Sequence, residues 1–329
     1  MLLRHRSLVC LAASFFAIGN SFGTASAQTR LVDVSLAINA PGSGNWPVYI
    51  ADQQGFFRTQ GLNVSIVTSG SNVNTINMLA TGATNLALDG SDIEIEAAAR
   101  KLPLKIIAPE FGPNPYNLVA TAGIAGWSDL KGKRIVLGSP QDISSLTFEA
   151  MAQAQHLTRA DFDVSASPSS SSRYAALLSG SVEATVLSQP FDILAQEHGL
   201  HVLQPASSLI KTWADTCFDV NTQWASTPAN RDTAVRFVRA LRRAVQFGYA
   251  NADGAIAALI KATNIAPSTA AKSYDVDFRQ KRVFTINDKI NLAAGLAAMA
   301  TIALSGGALS ATPALDDYFD ATYMKASER

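Results

Sequence analysis

The residues able to do chemistry recur at one kind of place, just beyond short apolar runs that alternate like strands. In the first part of the chain they are Asn39, Trp46, Tyr49, Gly70, Ser71, Asp89, Ser91, Asp92 and Glu110. Further on they are Ser139, Gln141, Asp142, Ser144, Ser171, Arg173, Ser188 and Gln189. In an α/β sheet the ligand crevice lies outside the carboxyl ends of the strands, so this set suits holding a small polar molecule. Each serine can equally be a helix cap or turn residue, and Arg173 can lie one turn inside a helix and pair at the surface. Ser71 and Ser139 each adjoin a glycine where a helix is expected to begin. Helix N-termini present unpaired N–H groups and partial positive charge, which favours an anionic or strongly polar headgroup. Trp46 and Tyr49 would cover a short apolar or aromatic body. Asp89, Asp92 and Glu110 argue the other way, for a ligand carrying an amine or hydroxyl donor.

Signals for catalysis are poor. Neither a Gly-x-Ser-x-Gly elbow nor a phosphate-binding Gly-x-x-x-x-Gly-Lys occurs. His156 falls at an expected helix end, while His198 and His201 flank a glycine turn and fit solvated positions better than metal ligands. Cys217 reads as a small buried hydrophobe. The expectation is a protein that is not an enzyme, with no metal and no cofactor.

These residues need elements to position them. Val32, Val34, Leu36 and Ile38 alternate strictly, the period of a half-buried strand. Pro47 opens a short helix to Gln53, which Gly55 can end in the left-handed conformation. Phe56 and Phe57 start another turn that Gly61 stops, and Leu62, Val64 and Ile66 form the next strand. Ser71 can cap the helix carrying Val73, Ile76, Leu79 and Ala80. Leu86 to Leu88 and Leu104 to Ala108 are strands flanking a helix whose Ser91 and Glu94 match a capping box. Strands alternating with helices imply a mostly parallel sheet with helices on both faces.

Three prolines between Pro109 and Pro115 interrupt the pattern, and a second series follows. It comprises strands at Arg134 to Leu137, Phe162 to Ser167 and Ala184 to Leu187, with helices beginning near Asp142 or Ser144 and after Arg173. Leu79 to Leu88 lines up with Leu177 to Val186, each a helix end, a glycine cap and a short strand. Two extended segments, Asn117 to Thr121 and Thr216 to Val220, would carry the chain between two similar lobes and form a hinge. Beyond Val220 come helices over Pro228 to Phe247, Ala255 to Ile260 and Leu292 to Leu304, then a terminal helix at Leu315 to Met324.

Composition sets outer limits. At 329 residues the chain exceeds one typical core. Its 26 basic and 26 acidic side chains balance, which gives no basic surface for nucleic acid. Arg4 and Arg6, the apolar run Leu8 to Ile18 and Ala25-Ser26-Ala27 follow the plan of a secretory signal cleaved before Gln28. Cleavage would leave Cys217 as the only cysteine, so the exported chain would rely on its core rather than an internal disulfide.

Trp46 to Val67, Asp129-Leu130-Lys131-Gly132-Lys133, Ala176 to Gly180 and Asp316-Asp317-Tyr318-Phe319-Asp320 together resemble one known group. It is the sulfonate, taurine, nitrate and thiamine-pyrimidine group of ABC-transporter substrate-binding proteins. The resemblance implies a two-lobed periplasmic-binding fold of the type II kind, each lobe a mostly parallel sheet flanked by helices. Residues 1–27 would be the signal, residues 28–116 and 218–329 lobe one, and residues 117–217 lobe two. It further implies a monomer in the periplasm that captures a small organic solute, a sulfonate or organic acid by preference. An ABC permease of the inner membrane would be its partner. The alternatives are a pyrimidine-forming or other small-molecule enzyme on the same fold, although the cysteine-rich motif of those enzymes has no counterpart here, or a secreted ligand sensor. Thirteen positions are the expected ligand set: Asn39, Trp46, Tyr49, Gly70, Ser71, Asp89, Ser91, Glu110, Ser139, Asp142, Ser144, Arg173 and Gln189.

Overall fold

A computed structural model describes residues 30–110, 114–140, 142–209, 214, 216–286, 292–305 and 309–329. The expected secretory signal and Gln141 lie outside the described residues. The strands are β1 (Val32–Ile38), β2 (Leu62–Thr68), β3 (Leu86–Gly90), β4 (Leu104–Pro109), β5 (Asn117–Ala120), β6 (Arg134–Leu137), β7 (Asp163–Ala166), β8 (Ala184–Leu187), β9 (His201–Pro205) and β10 (Thr216–Asn221). Early in the chain come helices α1 (Trp46–Gln53), α2 (Phe56–Thr59), α3 (Asn72–Ala80) and α4 (Ser91–Ala99), then α5 (Ile143–Gln153), α6 (Ser170–Leu178) and α7 (Phe191–Glu197). The last part holds α8 (Pro228–Ala250), α9 (Ala252–Thr263), α10 (Pro267–Tyr274), α11 (Leu292–Ser305), α12 (Leu315–Tyr318) and α13 (Thr322–Ser327).

Two mixed five-stranded sheets result, in the orders β2-β1-β3-β10-β4 and β7-β6-β8-β5-β9. In the first, β1 lies parallel to β2 and β3, with Leu36 opposite both Ile66 and Leu86. In the second, β6 lies parallel to β7 and β8. Each sheet carries one antiparallel strand next to its edge: β10 between β3 and β4, and β5 between β8 and β9. Those two strands are the segments by which the chain passes from one sheet to the other and back. The sequence echo has a structural counterpart. Gly82 and Gly180 hold φ of +75° and +72° after α3 and α6, and each leads into the third strand of its sheet. A left-handed turn of that kind is the conformation glycine adopts without a Cβ penalty.

The larger core packs the first sheet against α1, α8, α9 and α10. Trp46 is fully buried there, meeting Phe278 edge-on at 5.1 Å and donating from Nε1 to the Ala255 carbonyl at 2.7 Å. Phe57 stacks on Phe237 at 5.2 Å. Each such side chain contributes roughly 1.5–3 kcal/mol by leaving water, which explains why α1 tolerates so little polar surface. A second core gathers Trp127, Phe148 and Phe162 beneath β5, β6 and β8.

Some local expectations change. Ser91 is the first helical residue rather than a cap, because β3 extends to Gly90, paired with Thr216; its hydroxyl donates to the Ala214 carbonyl instead. The terminal helix divides in two, because Phe319 bridges to Ile106 and the Asp320 N–H bonds the Ile106 carbonyl at 2.9 Å. Tyr318 and Tyr323 are nevertheless buried in the larger core. Among the described residues no helix is long and apolar enough to cross a membrane.

Candidate functional site

The carboxyl ends of strands from both sheets face one cleft, whose cavity measures about 130 Å³. That is the scale of a small solute rather than a polymer.

On the first sheet's side, β1 ends at Asn39 and the following loop folds back as a short 3-10 turn over Ser43–Asn45. Tyr49 braces that loop from beneath: its hydroxyl accepts from the Gly42 N–H at 3.3 Å and from Asn45 Nδ2 at 3.0 Å. Asn39 Nδ2 donates to Asn72 Oδ1 at the start of α3. Asp89, at the end of β3, is 3% exposed and lines the cleft; its Oδ1 accepts from the Gly90 N–H at 2.8 Å. Burial, reinforced by Asp92, Asp142 and Glu94, pushes its carboxyl well above the usual carboxylate range. Burial raises Glu94 as well; Asp219 is raised by burial and by the neighbouring Glu94 and Asp89.

On the second sheet's side, Asp142 caps α5, accepting from the Ser144 N–H at 2.9 Å and from the Ser144 hydroxyl. A Cβ on Gly138 would lie 2.2 Å from Asp142 Cγ, so only glycine lets the capping carboxylate fold back there. From across the cleft, Asn72 Nδ2 donates to Asp142 Oδ2 at 3.2 Å. Ser169 caps α6, accepting from the Ser172 N–H at 3.2 Å. Arg173, one turn inside α6, is 3% exposed; Nε donates to the Val186 carbonyl, Nη1 to the Ser167 carbonyl and Nη2 to Ser170 Oγ. Burial lowers its pKa while Asp142 and Tyr116 oppose that shift. After β8, the Gln189 carbonyl accepts from Ser43 Oγ at 2.8 Å, a direct bond between the two sides.

Of the expected ligand set, Asn39, Asp89, Asp142, Arg173 and Gln189 line the cleft together. Ser144 and Tyr49 sit one layer behind, bonded to Asp142 and to the loop. Trp46 lies in the core against Phe278, and Ser91 is bonded to Ala214. Glu110 is buried at the end of β4, where its backbone bonds Thr216 and Thr285. Gly70 takes φ of +85° in the turn that lets Ser71 cap α3. Ser139 is half-buried, its carbonyl accepting the Asp142 N–H, so the cap of α5 falls to Asp142. Asn72, Tyr116, Phe191 and Thr216 also line the cleft, unforeseen from sequence. Asn72 follows directly on Ser71 and Phe191 comes two positions after Gln189, as the first positions of α3 and α7. Among the described residues no group of His, Cys, Asp and Glu is arranged to hold a metal ion.

Residues 44–255 match the sequence model of a family described as NMT1/THI5 like. YtlA of Bacillus subtilis (strain 168), described as a candidate binding protein, is 27% identical over 210 residues, an alignment spanning 61% of each chain. Among solved structures, the periplasmic nitrate-binding protein NrtA of Synechocystis PCC 6803 superposes with a TM-score of 0.78 at 13% identity, over 90% of this chain and 88% of that one. The alkanesulfonate-binding protein SsuA of Xanthomonas axonopodis pv. citri, solved with MOPS, gives 0.73 at 15% identity, over 88% and 98%. A ligand-binding component of an ABC-type import system from Staphylococcus aureus, solved with zinc, gives 0.75 at 11% identity, over 89% and 98%. At these identities the likeness is one of fold, that of periplasmic binding proteins.

Proposed function

The chain belongs to the NMT1/THI5-like family, and we propose that it is the solute-binding component of an ABC importer. In this reading it works in the periplasm as a monomer and hands a small organic solute, such as a sulfonate or other organic acid, to an inner-membrane permease. Residues 28–116 and 218–329 act as one lobe, residues 117–217 as the other, and β5 and β10 serve as the hinge. The observation that carries this reading is the cleft itself. Strand ends of two sheets converge on a small cavity lined by amides, serines and buried charges, with Ser43 bonded across it to Gln189. Such a site can bind, orient and desolvate a polar molecule. The described cysteine, Cys217, is buried within β10 rather than presented to the cleft, which gives no support to nucleophilic chemistry.

A ligand that binds only the folded state raises its stability by mass action. A thermal-shift screen of small sulfonates, carboxylates, amines and pyrimidines is therefore expected to give a concentration-dependent rise for at least one class, the solute staying chemically intact. Conversion of the solute into a new product without any permease would replace this reading by the enzyme alternative.

A further inference from the structure

Resting on the reading of β5 and β10 as a hinge, we infer that α7 is a proton-operated latch between the two sides of the cleft. Its Asp192 faces Asp277 of the opposite side, and the sides stay together while this pair holds at least one proton.

Asp192 belongs to the side of the second sheet. Its Oδ2 accepts from Nδ2 of Asn117, the first residue of β5, at 2.6 Å and from Gln189 Nε2 at 3.5 Å. Its Oδ1 accepts from the Ile193 N–H at 2.8 Å, so one carboxyl ties the hinge strand and a cleft-lining amide to the head of α7. Asp277 belongs to the side of the first sheet, in a π-helical turn over Asp275–Gln280 that continues α10. Such turns are frequent at functional sites. Here the next residue, Phe278, is fixed in the core against Trp46, and Asp277 is left beside Ser43 and Asp192.

Both acids are 2% exposed. Two carboxyls brought together out of water cannot both ionise cheaply, because each is desolvated and each repels the other. Lys281 faces both, and one ammonium offsets only one of two negative charges. Tyr249 of α8 also faces Asp277, with Arg282 over its ring at 4.3 Å. Burial accordingly carries Asp277 to about 8 and Asp192 to about 6.

The other end of α7 is held differently. Glu197 Oε1 accepts from Lys272 Nζ at 2.7 Å and Oε2 from the Thr269 hydroxyl at 3.0 Å, both donors lying on α10. The Lys272 bond keeps the Glu197 carboxyl below the usual range, so this end stays ionised at neutral pH; His198 beside it meets the Tyr174 hydroxyl. Swinging the sides apart about β5 and β10 would return Asp192 and Asp277 to water, with values near 4. A carboxyl held above its open-state value takes up a proton on closing. Closure is therefore supported below the raised value and loses that support as pH rises through it.

Double electron–electron resonance on the purified protein reads the latch directly. Spin labels are placed at Val73→Cys in α3 and Leu178→Cys in α6, two exposed positions on opposite sides, while the buried Cys217 stays unlabelled. From pH 7 to pH 9 the ratio of shorter to longer label distances should fall about tenfold, the effect of one proton held at about 8. In Asp277→Asn, shown to be folded by circular dichroism, the shorter distance should persist at both pH values. Glu197→Gln should shift the ratio equally at both. No fall in the wild type, or a fall that survives in Asp277→Asn, overturns the latch. Propanesulfonate, butanoate, propylamine and cytosine separate that failure from failure of the solute reading. Distances indifferent to pH but shortened by one of these probes sink the latch and leave the solute-binding cleft. Distances that neither pH nor any probe moves sink the hinge, and both readings with it.

Discussion

Ser43 Oγ donates to the Gln189 carbonyl at 2.8 Å, joining the loop after β1 to the segment after β8 across the mouth of the cleft. Both residues are buried, and the Ser43 side chain also neighbours the buried Asp277, whose pKa it lowers. One hydroxyl at the mouth of the cleft therefore faces both the opposite side and a buried acid.

Removing that hydroxyl should weaken the link between the two sides of the cleft without harming either core. Ser43→Ala is expected to cost about 1 kcal/mol of that contact, the net worth of one hydrogen bond. Affinity for whichever solute the thermal screen identifies should fall about fivefold. Titration calorimetry checks the affinity. An unchanged affinity would mean that the contact is incidental to binding.

Buried acids set the pH dependence. Burial, with the nearby charge of Asp192, pushes Asp277 up to about 8, Lys281 and the Ser43 bond opposing it. Burial pushes Asp192 to about 6 against the Asn117 bond and Lys281. A carboxyl whose folded pKa is raised holds its proton more tightly folded than unfolded. Its contribution is complete below the unfolded value near 4 and disappears as pH rises through the folded value. Urea midpoints should therefore fall between pH 5 and pH 8.5, and Asp277→Asn should flatten the upper part of that slope. Asp161, Glu183 and Glu197 are lowered by their partners and act oppositely, but they lie at the surface, where screening weakens them. A midpoint rising with pH across that window would contradict the burial assigned to these acids.

Gly248 separates two opposing effects. Alanine favours a helix over glycine by about 1 kcal/mol, and α8 is a long helix. A Cβ there, however, would sit 2.5 Å from Phe278 Cε1 and 3.2 Å from Ile50 Cδ1. Overpacking of a buried site costs about 1–3 kcal/mol, so Gly248→Ala should destabilise the protein on balance. Equilibrium urea unfolding reads the sign directly.

Trp46 tests where the ligand set ends. Trp46→Phe removes the bond to Ala255 and leaves unfilled space beside Phe278, for a loss of about 2 kcal/mol in stability. Solute affinity should stay within a factor of about two. A large loss of affinity with normal stability would return Trp46 to the site.

What could be read from the residues alone was local. The strand over Val32 to Ile38, the glycine turns at Gly55 and Gly61 and the cap at Ser71 depend on neighbours a few positions away, and each recurs in the structure, although Val32 is exposed and Ala37 buried, so the strict alternation does not. The place of β10 between β3 and β4 depends on partners more than a hundred positions away, and no local pattern encodes it. β9 escaped because His201 to Gln204 are all half-exposed at a sheet edge, without the contrast between faces that marks a strand. Strand ends led to Asn39, Asp89, Asp142, Arg173 and Gln189, because topology alone brings those positions together. An aromatic beside a proline carries no such information. Trp46 begins a helix whose buried face turns to α9, which only tertiary packing decides.

The central claim, that the cleft captures a small solute intact, is tested most directly by native mass spectrometry. The protein is equilibrated with the solute that gives the largest thermal shift, alongside Ser170→Trp, whose indole would fill the cleft that Ser170 lines. The account predicts one solute per wild-type chain, recovered at unchanged mass, and none on the folded Ser170→Trp variant. Equal retention by both proteins, or recovery of a molecule of altered mass, would contradict it.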